Sequence, residues 1–466
     1  MIGGDTLFSK LIDWVKKVIG IFTGNDIKRA FGISVCVSNE MQQALDLWCR
    51  MYGDCPPWIG ESVKTMQIPS AVASELARLV TIEMKSEIGG SSRAQYLNEQ
   101  YQNVLDDIRR CAEYGCAKGG LIFKPYVTDG KIAVDYIQAD CFFPTAFDSS
   151  GRITGAVFTD RIHRGGKIYT RFEYHDFKDG IYAVKNIAYV SDSENHIGSR
   201  TSLSSIAGWA DIQEETLIQN IDKPLFAYFR MPNANTSDVR SPLGASAYAR
   251  AVDLIKEADR QYSRLLWEFE SGERALYVSD TAFRRDKNGK AITPNKRLYR
   301  LLSAEDAKGD LFQDWTPTLR EENILRGLNA ILRKIEFNCG LAYGTLSDVQ
   351  DTDKTAEEIK ASKQRSYATV CDIQKALRHA LEDLIYAMDA LCSLYRLAPD
   401  GKYDVSFEFD DSIAADRQAE FAEKQMLVTS GIMRPWEFRM WYFGETEDEA
   451  KQAIGDAADT IRIDNA

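Results

Sequence analysis

The sequence predicts an α+β chain, and three observations carry that prediction. Apolar residues recur at helical spacing up to about residue 115 and again beyond residue 241. Between those regions, runs such as IAVDYI, AVFTDRI and YTRFEYH are separated by Asp129-Gly130, Ser150-Gly151, Gly165-Gly166 and Asp179-Gly180, the turn signals of successive antiparallel hairpins. From Thr355 to Ala398 no Pro or Gly interrupts the chain, as one long helix requires.

At 466 residues the chain exceeds one ordinary domain and can bury a large core. Its 44% hydrophobic and 27% charged residues are those of a folded protein. The net charge of −12 argues against a domain that clamps nucleic acid through phosphate neutralisation, but not against a surface past which DNA slides. The nine cysteines are odd in number and never spaced C-x-x-C, so reduced thiols are expected rather than a disulfide framework or a zinc ribbon. The four histidines are too far apart for metal-ligand spacing.

In chain order, residues 7, 8, 11, 12, 15, 18, 19 and 22 mark one apolar helical face near the N-terminus, read as a core-docking helix rather than a membrane anchor or signal peptide. Helices then run to about 115 with Pro56-Pro57 as a break, and the hairpins follow from Gly119. The Lys and Arg residues among the hairpins read as a solvated sheet face. At Ser241-Pro242 a serine N-cap and a first-turn proline predict a helix over 241–272, about 45 Å long. Strand and turn residues fill 273–318. A second helix, with Ile324, Leu325, Leu328, Ile331, Leu332 and Ile335 on its face, runs over 319–340. A polar loop over 341–355 leads into the long helix and a closing strand (356–412), whose apolar face begins only at Ile373. Residues 413–466 are helical and acidic, with the tail from Gly444 expected to fray.

The loop is the most pointed feature: LSDVQDTDKTAEE places Asp348, Asp351 and Asp353 directly before a helix. A calcium loop starting at Asp351 would need Gly at its sixth position and Glu at its twelfth, where Ala356 and Ser362 stand. The Gly-Lys pairs at 130, 166, 289 and 401 have Pro125, Arg161, Arg284 and Arg396 where a Walker loop needs glycine, and no G-x-S-x-G elbow occurs. No catalytic residue, metal or cofactor is expected. What fits is a capping box, Thr355 with Glu358, that starts the long helix.

Three stretches together resemble the portal protein family of tailed bacteriophages, in the branch that also carries the minor-capsid label: GGLIFKPYVTDGKIAVDYIQADCFFPT from Gly119, SPLGASAYARAVDLIKEADRQYSRLLWEFESGE from Ser241, and DKTAEEIKASKQRSYATVCDIQKALRHALEDLI from Asp353. They follow the family's order over most of the chain. The resemblance implies a portal fold with 1–240 as wing, 241–272 and 319–340 as stem helices, 273–318 as clip, 341–355 as tunnel loop, 356–412 as the long tunnel helix and closing strand, and 413–466 as crown. It implies a homo-oligomeric ring, usually dodecameric, at one capsid vertex of the virion, assembled in the bacterial cytoplasm. Double-stranded DNA would pass through it without sequence specificity. Its partners would be the terminase ATPase, the major capsid and scaffolding proteins, and the head-completion adaptors, with no membrane involved. Asp348, Gln350, Asp351, Asp353 and Lys354 would then line the channel, Lys360, Lys363 and Arg365 would be candidate channel-facing cations, and Gly340 and Gly344 would act as hinges beside the Thr355 and Glu358 cap. Two other readings of the residues stay open: a Mg²⁺-dependent nuclease using the loop aspartates, and a peripheral membrane protein using the N-terminal amphipathic face.

Overall fold

A long apolar stripe organises the fold. The computed structural model describes residues 24–193, 196–279, 299–302, 312–348, 356–409 and 417–454, so the N-terminal amphipathic face lies outside the described residues. Residues up to Glu408 form one compact unit and those from Phe409 another.

The first unit opens with helices α1 (Gly24–Phe31), α2 (Asn39–Tyr52) and α3 (Ile68–Thr81), a strand β1 (Lys85–Gly89), and helices α4 (Ser92–Asp106) and α5 (Ile108–Lys118). Ser38 and Ser91 cap α2 and α4, each accepting a backbone N–H of the first turn. Strands β2 (Gly120–Thr128) and β3 (Lys131–Gln138) form a hairpin closed by Asp129 and Gly130, at φ 50° and 71°. The next hairpins join β4 (Phe142–Phe147), β5 (Ile153–Arg164), β6 (Lys167–Lys178) and β7 (Ile181–Ser191). Asp179 and Gly180 make the same left-handed turn, at φ 53° and 76°. After β8 (Ser199–Thr201), β9 (Glu215–Gln219) and β10 (Ala227–Arg230), the strands fall into two sheets: β10-β2-β3, and β4-β5-β6-β7-β8 with β9 also paired to β7.

The helix expected at Ser241 starts eleven residues later, as α6 (Val252–Ser271). Ser241 is buried and its hydroxyl accepts from Leu243 N, closing a turn instead of capping a helix. Gly244 then lies against Gly119, where a Cβ on either residue would collide with the other's carbonyl. Ala247 N donates to Cys116 O at 2.9 Å and Tyr248 OH donates to Trp48 O at 2.9 Å, so this segment is held extended across α5 and α2. Buried Asp259 on α6 accepts from Trp58 Nε1 and from Met66 N, both at 2.8 Å, tying the connector between α2 and α3 to the helix.

Strands β11 (Ala275–Ser279), β12 (Tyr299–Leu302) and β13 (Phe312–Trp315) form a small sheet, β11 pairing parallel to β12 and antiparallel to β13. Helix α7 (Glu321–Cys339) returns and packs on α6. Glu268 accepts two hydrogen bonds from the Arg320 guanidinium and one from Arg320 N, which fastens the two helix ends beside the sheet.

Helix α8 (Ala356–Tyr395) is continuous over 40 residues, about 60 Å at ~1.5 Å per residue. Ile373, Leu377, Ala380, Leu381, Leu384, Ile385 and Met388 are buried along one stripe, on which α3, α4, β2, β3 and β10 pack. The strand β14 (Asp404–Glu408) then pairs antiparallel with β1. The closing strand is the expected one, but β1 falls in a region read as helical in sequence; it is only five residues long, and its partner lies some 320 positions away.

In the second unit, α9 (Arg417–Thr429) and α10 (Pro435–Phe443) meet through Phe421, whose ring lies 5.4 Å from Phe438 and 5.3 Å from Tyr442. The tail expected to fray from Gly444 is instead helical from 447 to 454. Glu449 accepts from Thr446 N and Oγ1, at 2.9 and 2.7 Å, and so caps that start.

Because Leu381 is fully buried at the centre of the α8 stripe, Leu381→Ala is expected to cost about 2–5 kcal/mol. Urea unfolding at equilibrium measures it.

Candidate functional site

The polar loop between α7 and α8 is the candidate site, and its first half is fixed by two side chains of α7. Glu336 is fully buried. Its Oε1 accepts from Gly344 N (3.0 Å), Leu346 N (2.7 Å) and Ser347 N (2.9 Å), and its Oε2 accepts from Ser347 Oγ (2.8 Å). Two turns earlier, Asn329 accepts from Asp348 N at 2.8 Å and donates to Asp348 O at 3.2 Å, as a strand neighbour would. A carboxylate that accepts four hydrogen bonds offsets its desolvation and fixes every peptide it touches. Gly340 closes α7 at φ 72°, its N–H returning to Glu336 O and Phe337 O. It also lies so near Thr369 of α8 that a Cβ would overlap the threonine hydroxyl.

The expected hinge positions are therefore tied down. Gly340 is a helix cap pressed on α8, and Gly344 is bound to Glu336. Arg365, expected as a candidate channel-facing cation, is half-buried. Its guanidinium lies 4.5 Å from the Phe337 ring centre and 5.0 Å from that of Tyr343, stacked where it joins α8 to the loop base. Lys363 is exposed on α8, and so is Asp348 at the last described position of the loop. Gln350, Asp351, Asp353, Lys354 and Thr355 lie outside the described residues. The helix starts at Ala356, next to Thr355, while the side chains of Glu358 and Lys360 are outside the description. Sequence reasoning missed Glu336 and Asn329. The available signal was a pair of polar residues one position after Leu328 and Ile335, on the flank of an apolar stripe.

Among the hairpin cations Lys131, Arg164, Lys167, Lys178 and Lys185 are exposed as expected, but Lys124 and Arg171 are not solvated. They line a cleft of about 1130 Å³ between the two sheets. Lys124 Nζ donates to Glu173 at 2.9 Å and Arg171 reaches the same carboxylate at 3.1 Å. The other oxygen of Glu173 accepts from His175 Nε2 at 2.6 Å, which leaves His175 Nδ1 to accept from Tyr182 OH. Burial alone would raise the Glu173 carboxyl, but Lys124, His175 and Arg171 together hold it well below the usual range. Burial lowers the His175 pKa, which keeps the ring neutral. Each cation here faces a carboxylate, so the cluster joins the sheets electrostatically and offers no open reactive group. Among the described residues no group of three or more His, Cys, Asp or Glu is placed to hold a metal, and no helix is long and apolar enough to cross a membrane.

Two outcomes are expected. Glu336→Ala leaves three backbone N–H groups without their acceptor and should destabilise the protein by about 3 kcal/mol or more, with faster hydrogen exchange over 344–348 as the local readout. Glu173 and His175 both have folded pKa values below their unfolded ones, so the stability they contribute is present at neutral pH and lost as pH falls. The unfolding midpoint should decline from about pH 6.5 downward. Glu173→Gln should flatten that decline and cost about 3 kcal/mol at pH 7 by stranding two buried cations, both read by thermal unfolding across pH.

Among known proteins, residues 82–461 match the family described as phage portal protein, SPP1 Gp6-like. No curated protein matches the chain. A solved chain from the neck of a native GTA particle, computed with C12 symmetry, is similar at 10% identity and a TM-score of 0.38, over 80% of this chain and 89% of that one. A similarity that loose carries no argument, whereas the family match spans most of the sequence, the two sheets, the α6/α7 pair and all of α8. The chain thus belongs to the SPP1 Gp6-like phage portal protein family, and its role is that of a structural portal component of a phage particle.

Proposed function

We propose that this chain forms a ring, dodecameric as is usual in the family, at one vertex of the phage capsid, and that the ring is the channel for DNA packaging and ejection. The observation that carries this reading is the paired helices α6 and α7, with a small sheet at their far end and a polar loop that leads from them into the 40-residue α8. In this reading α6 and α7 are the stem and residues 273–318 the clip, which offers strand edges to the terminase ATPase and later to the head-completion adaptors. Residues 1–240 are the wing, seated among the capsid and scaffolding proteins, and 413–466 the crown.

The loop after Asp348 is the part that meets DNA. Asp348, Gln350, Asp351, Asp353 and Lys354 form a ring of short polar segments around the duplex, with Lys360 and Lys363 on the first turns of α8 as the phosphate neighbours. Duplex DNA carries a charge every ~1.7 Å, so a strongly basic lining would hold it fast. A chain of net charge −12 with a few separated lysines lets it slide. Each exposed lysine acts only within about 8 Å at physiological salt, so centring of the duplex comes from symmetric repetition and not from any single contact.

The test is deletion of residues 349–354, which spares the segment bound by Glu336 and Asn329. Negative-stain images should still show rings with a central hole, while proheads built with the variant should package less DNA per particle or package it more slowly. Full-length genomes at normal rate would reduce the loop to a connector. A protein that stays monomeric at every salt and concentration would overturn the ring itself.

A further inference from the structure

The α6/α7 pair carries a projecting aromatic on one surface and an apolar groove on another. On α6, Leu265 and Glu268 turn inward, while Trp267 is 65% exposed. Arg264 precedes it by three residues and is exposed, so the two share one outward stripe. Phe269, 47% exposed, widens the apolar surface at that end of the helix. On α7, a groove of about 560 Å³ is floored by Leu325, Leu328, Leu332 and Leu346, with Glu322, Arg326 and Asp348 among its polar lining. No α6 residue lines it, so the projection and the groove are different surfaces of the same helix pair. Leu325 is 46% exposed there.

We propose that these two surfaces are the two sides of one subunit contact: Trp267 of one copy seats in the Leu325 to Leu346 groove of the next, and its Arg264 faces the acidic lining at Glu322 and Asp348. A ring repeats a head-to-tail contact in which each copy presents unlike surfaces to its two neighbours, so every projection and every groove is used once. A single-copy partner would leave one of the two surfaces open. Tryptophan in an apolar socket with a charged rim is the composition of an interface hot spot. Arg264 and Glu270 flank Trp267 on one surface, and Glu322, Arg326 and Asp348 edge the groove on the other, so each surface carries charges that the other can pair. The inference rests on the ring reading and adds the residues that join neighbours. It also brings the contact to the loop base, because Leu346 and Asp348 belong to the segment held by Glu336 and Asn329. A neighbour docked there would stiffen the start of each loop.

The full-length protein tests it. Arg264→Cys combined with Glu322→Cys, treated with a flexible bis-maleimide, should give a ladder of covalent multimers on a denaturing gel, while either single variant should show only the background of the native cysteines. Trp267→Ala should raise the protein concentration needed for rings by on the order of thirtyfold or more and leave the monomer's unfolding midpoint unchanged, because the side chain is mostly exposed. Arg264→Glu should weaken assembly, and adding Glu322→Arg should restore it. Rings that form normally with Trp267→Ala and give no double-cysteine ladder would overturn this contact and leave the ring reading intact. Absence of rings from the unmodified protein would overturn both.

Discussion

The apolar stripe of α8 is the constraint on which the rest of the molecule depends. Seven fully or nearly fully buried side chains between Ile373 and Met388 run along one face of a helix that has no Pro or Gly to bend it. Helices α3 and α4 and the sheet of β2, β3 and β10 all pack on it, so elements far apart in sequence share one rod as their reference. Its C-terminal end is fastened as firmly as its middle. Arg93, almost fully buried on α4, donates to Ser393 Oγ at 2.9 Å, Asp400 at 2.7 Å and Pro399 O at 3.2 Å, which holds the chain where it leaves the helix. Toward the other end, among the described side chains, 361, 363 and 364 are exposed and burial begins at Ser366. A rigid rod buried at one end and exposed toward the other can present a loop beyond the core without disturbing it.

The Glu336 and Asn329 contacts fix the first part of that loop. Backbone groups from Gly344 to Asp348 are bound to α7 side chains, and Arg365 stacks on Phe337 and Tyr343 from the α8 side. The loop base, from Gly344 to Asp348, therefore belongs to the junction of α7 and α8. A buried carboxylate is a costly way to fix a loop compared with apolar packing. It fixes individual peptide groups, however, which apolar contacts do not, and so it sets the direction in which the chain departs from α7.

Much of this was legible in the sequence where a local rule has no competitor. Asp-Gly and Gly-Gly turns demand positive φ, and the hairpins close at those residues. The long helix announced itself by its uninterrupted pattern, and its start fell beside Thr355. Local rules failed where a distant partner outbid them. Ser241-Pro242 has the form of a helix start, yet the glycine pair 119 and 244 permits two backbones to touch there and the serine closes a turn. Strand β1 has little of a strand's composition and exists because β14 covers its edge. Lys124 and Arg171 look like surface cations until Glu173, on the same strand as Arg171 and on the other sheet from Lys124, is placed between them. Glu336 was invisible for the same reason, since a glutamate beside an apolar stripe is ordinary unless its acceptors are known to meet four donors.

The disposition of charge follows from these contacts and bears directly on how DNA would meet the protein. Lys118 is spent on Asp140 at 2.8 Å, Lys124 and Arg171 on Glu173, Arg93 on Asp400, and Arg365 on two aromatic rings. Each of these cations is partly or wholly removed from solvent and compensated inside the fold, so none is offered to a phosphate. Because most of these cations are paired with carboxylates, the accessible surface keeps the acidic balance of the chain, −12 in formal charge. Long-range attraction of a polyanion to such a surface is weak, and its residence at any one position is short. Among the described residues of the loop and the first turns of α8, Lys363 is the lysine in reach of solvent.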